Sequence, residues 1–217
     1  MNKAWICFVN GFVKVTGLIP ELILFHEKVT YQEGAISRFK IKGPLMIISN
    51  HTSLIDFAMM LFLFPFRIVR WQAAEVMMNK KLVGPLIRGL GCIAVDRVAK
   101  DFTFLRESAD IIEEGGIVGI FPEARLPKPG EERPLEFKPS AAYLALMTDV
   151  TIIPVYTNGM YFKNPGKRCR VVIGKPFEAK DLSDHNLSEK DNIDHVSREM
   201  RKKIIELEQL DKEVQKR

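Results

Sequence analysis

The residues of this 217-residue chain best suited to chemistry lie in the segment Ser49-Asn50-His51-Thr52-Ser53-Leu54-Ile55-Asp56. A short apolar, β-branched run precedes it and an apolar helical run follows. His51 is thus predicted on a strand-to-helix turn at the edge of a sheet, with Thr52 and Ser53 as N-cap residues and Asp56 in the first helical turns. A turn of this kind lets the imidazole fold back onto the carboxylate. An aspartate that accepts a hydrogen bond from one ring nitrogen fixes the tautomer and leaves the other nitrogen as a base. A histidine and an aspartate five positions apart are weak evidence by themselves. Their placement after a buried strand and before an apolar helix makes the pattern much stronger.

Three further segments bring polar groups to the ends of apolar runs. Gly91-Cys92-Ile93-Ala94-Val95-Asp96-Arg97 delivers an arginine suited to bidentate binding of phosphate. Ile120-Phe121-Pro122-Glu123-Ala124-Arg125 presents Glu123, suited to hold a hydroxyl, beside Arg125, suited to hold a phosphate. Ile152-Ile153-Pro154-Val155-Tyr156 places a proline inside an apolar strand, which predicts an edge or bulge position beside a cleft. The ordinary readings of these groups are surface or strand-capping ion pairs worth little energy. Their shared position is what counts, because open α/β sheets gather ligands at strand ends.

The elements that must position these groups follow from periodicity. Strands are predicted over 45–49, 93–96, 117–121, 151–156 and 170–173, and helices over 54–63, 80–90, 102–114 and 139–147. A last, highly charged helix over 189–215 keeps Ile193, Val196, Met200, Ile204, Leu207 and Leu210 at a 3.6-residue period. The alternation implies an α/β fold, a single layered domain with a mostly parallel or mixed sheet covered by helices. The loop over 126–139 carries four prolines and several charges, a length and composition expected of a segment that lines a site. The apolar run over 57–66 is too short to cross a membrane. It suits a buried helix or the wall of an acyl-chain groove.

Residues 4–25 are rich in Trp, Phe, Val, Leu and Ile, but Lys14 and Glu21 interrupt them and Pro20 breaks the helical pattern. The uninterrupted stretch falls short of the roughly 18 residues a spanning helix needs. Two readings fit equally: a pair of core helices, or a helix–turn–helix bent at Gly17 and Pro20 and lying in the bilayer interface. On the second reading the chain divides into an N-terminal hydrophobic helical membrane-interface segment, 1–30, and a layered domain, 31–217. Formal charge is +5, which favours anionic partners without choosing among nucleic acid, phospholipid and phosphorylated substrates. Arg67, Arg70, Lys80, Lys81 and Arg88 suit an acidic donor or anionic lipid and equally a solvated face. Three widely separated cysteines give neither a zinc-ligand spacing nor a disulfide framework, and fit a reducing compartment.

The blocks NHTSLID, GCIAVDR, FPEARL and IIPVY stand in the order of the four blocks of the glycerolipid acyltransferase family, and the chain resembles that family from about Leu45 to Gly174. The family contains the bacterial 1-acylglycerol-3-phosphate acyltransferases. The resemblance implies that His51 is the general base and Asp56 its orienting partner, and that Arg97, Glu123 and Arg125 help bind the acceptor's glycerol phosphate. It implies an acyl thioester donor, acyl-CoA or acyl carrier protein, as co-substrate. It implies no metal, no other cofactor and no nucleic acid. It also selects the membrane-interface reading of the amino terminus and a peripheral or monotopic place on the cytoplasmic face. The expected reaction converts lysophosphatidic acid to phosphatidic acid. Another lysophospholipid, glycerol phosphate or an aminolipid as acceptor, and thioester hydrolysis by the same His/Asp pair, stand as alternatives. The family's third block runs Glu-Gly-Thr-Arg, whereas this chain has Glu123-Ala124-Arg125, one residue fewer before the arginine. No Gly-x-Ser-x-Gly element supports a serine hydrolase. Replacing Arg97 by Ala is expected to raise the KM for a phosphorylated acceptor with little change in kcat. Initial rates across acceptor concentration measure this, and an unchanged KM removes Arg97 from the phosphate site.

Overall fold

A computed structural model of the chain describes residues 2–25, 27–96, 102–161 and 168–216. A long helix α1 (Lys3–Leu24) leads into an eight-stranded mixed sheet. The strands are β1 (Lys28–Tyr31), β2 (Leu45–Ser49), β3 (Val69–Ala74), β4 (Ile93–Val95), β5 (Ile117–Ile120), β6 (Thr151–Thr157), β7 (Arg170–Ile173) and β8 (Phe177–Glu178). The helices between and after them are α2 (Asp56–Leu63), α3 (Glu75–Met78), α4 (Gly84–Gly89), α5 (Thr103–Glu113), α6 (Pro139–Thr148) and α7 (Glu189–Lys216), with a 3-10 turn at Ala179–Leu182.

Across the sheet the order is β1-β7-β6-β2-β5-β3-β4, with β8 extending the β7 side of β6. Strands β2 to β6 run parallel, and β7 and β8 oppose β6. Alternation along β2 shows the layering. Leu45 and Ile47 face one core with Trp71, Ile153, Val155 and the buried face of α2. Met46 and Ile48 face the other, with α5, α6 and α7. Both faces of the central parallel strands β2, β5 and β6 are buried along most of their length, so these strands are nearly continuously apolar rather than alternating.

The single α/β layered architecture agrees with the sequence. The differences have local causes. Two strands, β1 and β3, carry no clear apolar signature, and β1 places the start of the sheet at Lys28, so the boundary expected at residue 30 falls inside a strand. The helix expected over 80–90 is confined to α4 (Gly84–Gly89), with a turn before it and the separate short helix α3 (Glu75–Met78) ahead of that. A Cβ on Gly84 would lie 1.9 Å from the Met78 carbonyl oxygen, so the chain turns there, and Pro85 then starts α4. Pro154 sits in an interior strand, not at an edge. Its carbonyl accepts from Gly174 N–H, and it faces the interruption between β7 and β8 where no N–H is required. In α7, Val196, Met200, Ile204 and Leu207 are buried as expected, but the last inward position is Asp211, paired with Arg170 at 2.9 Å, and not Leu210.

The amino terminus departs most from expectation. Neither Gly17 nor Pro20 breaks it into two helices; residues 3–24 form one helix with Pro20 inside. At about 1.5 Å per residue it spans roughly 33 Å, and it is long and apolar enough to cross a membrane. Three of its polar residues, Asn10, Lys14 and Glu21, point into the protein. The Asn10 amide donates to the Leu90 carbonyl at 3.1 Å. Lys14 Nζ donates to the carbonyls of Phe64, Pro65 and Arg67 at 2.8, 3.3 and 2.7 Å, just past the C-terminus of α2, where the helix dipole favours a cation. Gly17 is the point of closest approach, since a Cβ there would lie 2.5 Å from the Phe62 ring. Glu21 is buried. The opposite side exposes Trp5, Phe8, Phe12, Val15, Ile19 and Ile23. Replacing Phe8 and Phe12 together by Asp is expected to weaken vesicle binding at least about tenfold, given roughly 1.5–3 kcal/mol for each buried aromatic side chain. Vesicle flotation measures this. The melting temperature should stay unchanged, because both rings lie outside the protein core.

Candidate active site

Three loops meet at the C-terminal ends of neighbouring parallel strands β5, β2 and β6. The loop after β2 carries His51. Its Nδ1 lies 2.9 Å from Asp56 Oδ2, so the two residues singled out by their spacing are joined directly. Asp56 is fully buried. Oδ2 also accepts the N–H groups of Thr52 at 2.5 Å and Ser53 at 2.9 Å. Oδ1 accepts the Thr52 hydroxyl at 2.8 Å and the Tyr161 hydroxyl at 2.7 Å. The expected capping is therefore inverted. α2 begins at Asp56, its cap residue Ile55 makes no side-chain cap bond, and Asp56 gathers the N–H groups of Thr52 and Ser53. With Nδ1–H given to the carboxylate, the imidazole keeps Nε2 as the basic nitrogen.

The backbone at His51 is held by Glu123. Its Oε1 accepts the His51 N–H at 2.7 Å, and its Oε2 accepts the Leu135 N–H at 2.9 Å. Glu123 is only 2% exposed. Burial pushes its carboxyl above the ordinary range, and the two N–H donors pull it back. Both oxygens are thus engaged with the main chain, and Glu123 ties the loop after β5 and the proline-rich loop over 126–139 to the backbone of His51. Arg201 from α7 secures that loop by donating to the carbonyls of Pro134 and Leu135. Ala124, at φ 58°, takes the left-handed conformation that glycine adopts more readily. Arg125 points away and forms a two-point pair with Glu131 at 2.7 and 2.9 Å on the surface. Arg97 lies outside the described residues.

The His51 ring stacks on Phe121, with centroids 4.4 Å apart, and Phe121 stacks on Trp71 at 4.7 Å. The indole lies flat on β5 because Gly119 has no side chain; a Cβ there would come within 2.4 Å of it. His51 opens onto a cavity of about 210 Å³ walled by Leu54, Phe57, Met77, Val83 and Ile87. Cys92 is buried and outside the cavity lining, and burial pushes its thiol up to about 12, which makes it a poor nucleophile. Among the described residues, no group of three or more His, Cys, Asp or Glu side chains is arranged to hold a metal ion.

Sequence reasoning missed Tyr161, Thr157 and the work of Asn50. Asn50 Nδ2 donates to the Thr157 carbonyl at 2.8 Å and its Oδ1 accepts the Thr157 N–H at 2.8 Å, so one side chain stitches the loop after β2 to the end of β6. Its place beside His51 was the available signal. Nothing local marks Tyr161.

The acyltransferase family model matches residues 24–158, and the chain belongs to that family. It is 24% identical over 144 residues to a 1-acyl-sn-glycerol-3-phosphate acyltransferase of Bacillus subtilis (strain 168), covering 64% of this chain and 69% of that one. The beta enzyme of that name from Homo sapiens is 31% identical over 138 residues, 60% of this chain, which spans about half of the human protein (48%). A crystal structure of the 1-acyl-sn-glycerophosphate acyltransferase PlsC from Thermotoga maritima shares the fold, with a TM-score of 0.65 and 22% identity over 94% of this chain and 81% of that one.

Replacing Glu123 by Gln leaves one acceptor for two N–H groups and sets an N–H against another. The expected result is a loss of about 1–3 kcal/mol in a urea titration, with kcat falling by at least about tenfold as His51 shifts. A variant with wild-type stability and turnover would show that the two backbone bonds do not position the histidine.

Proposed function

We propose that this chain transfers a fatty acyl group from a thioester to the free hydroxyl of 1-acyl-sn-glycerol-3-phosphate, giving phosphatidic acid. The observation that carries the reading is the His51–Asp56 dyad at an apolar cavity whose α4 wall packs against α1. A base beside an apolar cavity, next to a helix that turns aromatic rings outward, suits a substrate with a reactive head and a lipid tail. The names of the matched relatives support the acceptor.

His51 Nε2 takes the proton of the acceptor hydroxyl as its oxygen attacks the thioester carbonyl. Asp56 stabilises the imidazolium that forms. The tetrahedral intermediate collapses with cleavage of the carbon–sulfur bond, and the departing thiolate takes the proton back from His51. The thioester is already activated, so this sequence draws on neither a protein nucleophile nor a metal. The acyl chain occupies the cavity along Phe57, Met77 and Ile87. Arg97 remains the candidate for the acceptor's phosphate. Glu123 and Arg125 have other partners in this structure, so in this reading Glu123 acts on the phosphate site only through the loop it fixes. The exposed apolar face of α1 docks the enzyme on a membrane. Its basic balance and free cysteines support the cytoplasmic face, with either CoA or an acyl carrier protein bearing the donor thioester.

The test incubates the protein with vesicles, oleoyl-CoA and a panel of lysolipids, following free thiol and lipid products together. Thiol release matched by phosphatidic acid from lysophosphatidic acid is expected. His51→Ala should lower that rate by at least about a hundredfold with an unchanged circular dichroism spectrum. Thiol release with free fatty acid and no acylated lipid would establish a thioesterase instead.

A further inference from the structure

Of the two Asp56 oxygens, Oδ2 is occupied by the His51 ring and by the N–H groups of Thr52 and Ser53, all from one short turn. Oδ1 accepts the Thr52 hydroxyl from the same turn. Were these the whole set, every bond to the carboxylate would come from the turn that also carries the imidazole. Tyr161 supplies a bond from elsewhere. It lies beyond the end of β6, 105 positions from Asp56, and its hydroxyl donates to Oδ1 at 2.7 Å.

The direction of the chain of hydrogen bonds is fixed by proton count. A phenol has one proton, and the carboxylate takes it. The contact between Thr157 Oγ1 and the Tyr161 oxygen at 3.1 Å must then run from threonine to tyrosine. Thr157 Oγ1 in turn accepts the Gly159 N–H at 3.3 Å. Burial and the charge of Asp56 hold the phenol well above its usual range, so it remains a donor throughout the working pH range.

The loop that carries Tyr161 is itself fixed. Asn50 holds both backbone groups of Thr157. Gly159, at φ 65°, lets the Thr52 hydroxyl approach to where a Cβ would lie only 2.2 Å away. The Tyr161 N–H donates to the Gly159 carbonyl at 3.0 Å. Its ring stands edge-on to Phe25, the cap residue of α1, with centroids 5.6 Å apart and planes at 88°. Tyr161 is buried and does not line the catalytic cavity.

We propose that Tyr161 is a positioning residue for the acyl transfer: it fixes the Asp56 carboxylate to the β6 loop so that Oδ2 stays in line with His51 Nδ1. The proposal rests on the acyltransferase reading of the His51–Asp56 site. It gives the segment following the IIPVY block a task in the chemistry.

The experiment compares wild type, Tyr161→Phe, Thr157→Val and Thr157→Ser as full chains on vesicles with oleoyl-CoA and lysophosphatidic acid. Each protein's His51 Nδ1 proton is also recorded in the low-field NMR spectrum without substrate. Tyr161→Phe keeps the ring and its contact with Phe25, and is expected to lower kcat about tenfold, the scale of one hydrogen bond to a charged group. Both KM values should stay within about twofold and the low-field resonance should move. Thr157→Val should move the resonance the same way and Thr157→Ser should restore it. A kcat within about twofold of wild type in Tyr161→Phe, a loss confined to KM, or an unmoved resonance would each overturn the proposal. If wild type yields no acylated lipid, the acyltransferase reading fails, and the resonance alone decides whether Tyr161 positions the dyad.

Discussion

A carboxylate with no solvent exposure sets the terms for the rest of this molecule. Leaving Asp56 charged in the interior is very costly unless its lone pairs are met by donors, and five donors meet them. Two are main-chain N–H groups, which requires the chain between Ser49 and Asp56 to curl around the carboxylate. That curl delays α2 until Asp56 and places the negative charge at the positive end of the helix. The same curl sets the His51 ring against the carboxylate and leaves its far nitrogen for chemistry. The dyad is thus built into a loop whose Thr52 and Ser53 N–H groups are satisfied by the same carboxylate that holds the imidazole.

The loop cannot hold this shape alone, and its neighbours in the sheet supply the restraint. β2 lies between β5 and β6. From the β5 side Glu123 takes the His51 N–H, and from the β6 side Thr157 engages Asn50 and Tyr161 reaches Asp56. Parallel strands end at the same level, so three consecutive C-terminal loops are within reach of one another. The order of the blocks along the chain differs from their order in space, yet all converge because the sheet is parallel there.

This geometry explains how much the sequence discloses. His51 and Asp56 were legible because they share one turn, and five-residue spacing on a strand-to-helix junction is local information. The apolar strands β2, β5, β6 and β7 were legible because burial on one or both faces leaves a compositional trace. β1 and β3 were not, since Lys28, Arg70 and Gln72 interrupt any such trace at the strands nearer the sheet edges. Glu123 was legible as a site residue but not in its task, because its partners are backbone groups that no motif encodes. Tyr161 was invisible for a different reason. Its partner is more than a hundred residues away, and a tyrosine after a strand has no distinctive pattern.

Helix α1 reverses the usual logic of an amphipathic helix, and its reversal ties the site to its substrate. In a water-soluble domain the apolar stripe faces the core and the charges face solvent. Here Asn10, Lys14 and Glu21 turn inward, and Lys14 finds the carbonyls at the end of the very helix that Asp56 begins. The outward face is left to Trp5, Phe8, Phe12 and Ile19, exposed large apolar side chains gathered along one helix, as at an interaction surface. The charges that seemed to disqualify the segment from lipid are what fasten it to the catalytic domain. α4, which walls the cavity below His51, packs against this same helix. In the proposed reaction this contact sets the outward-facing apolar helix directly behind a wall of the cavity onto which His51 opens.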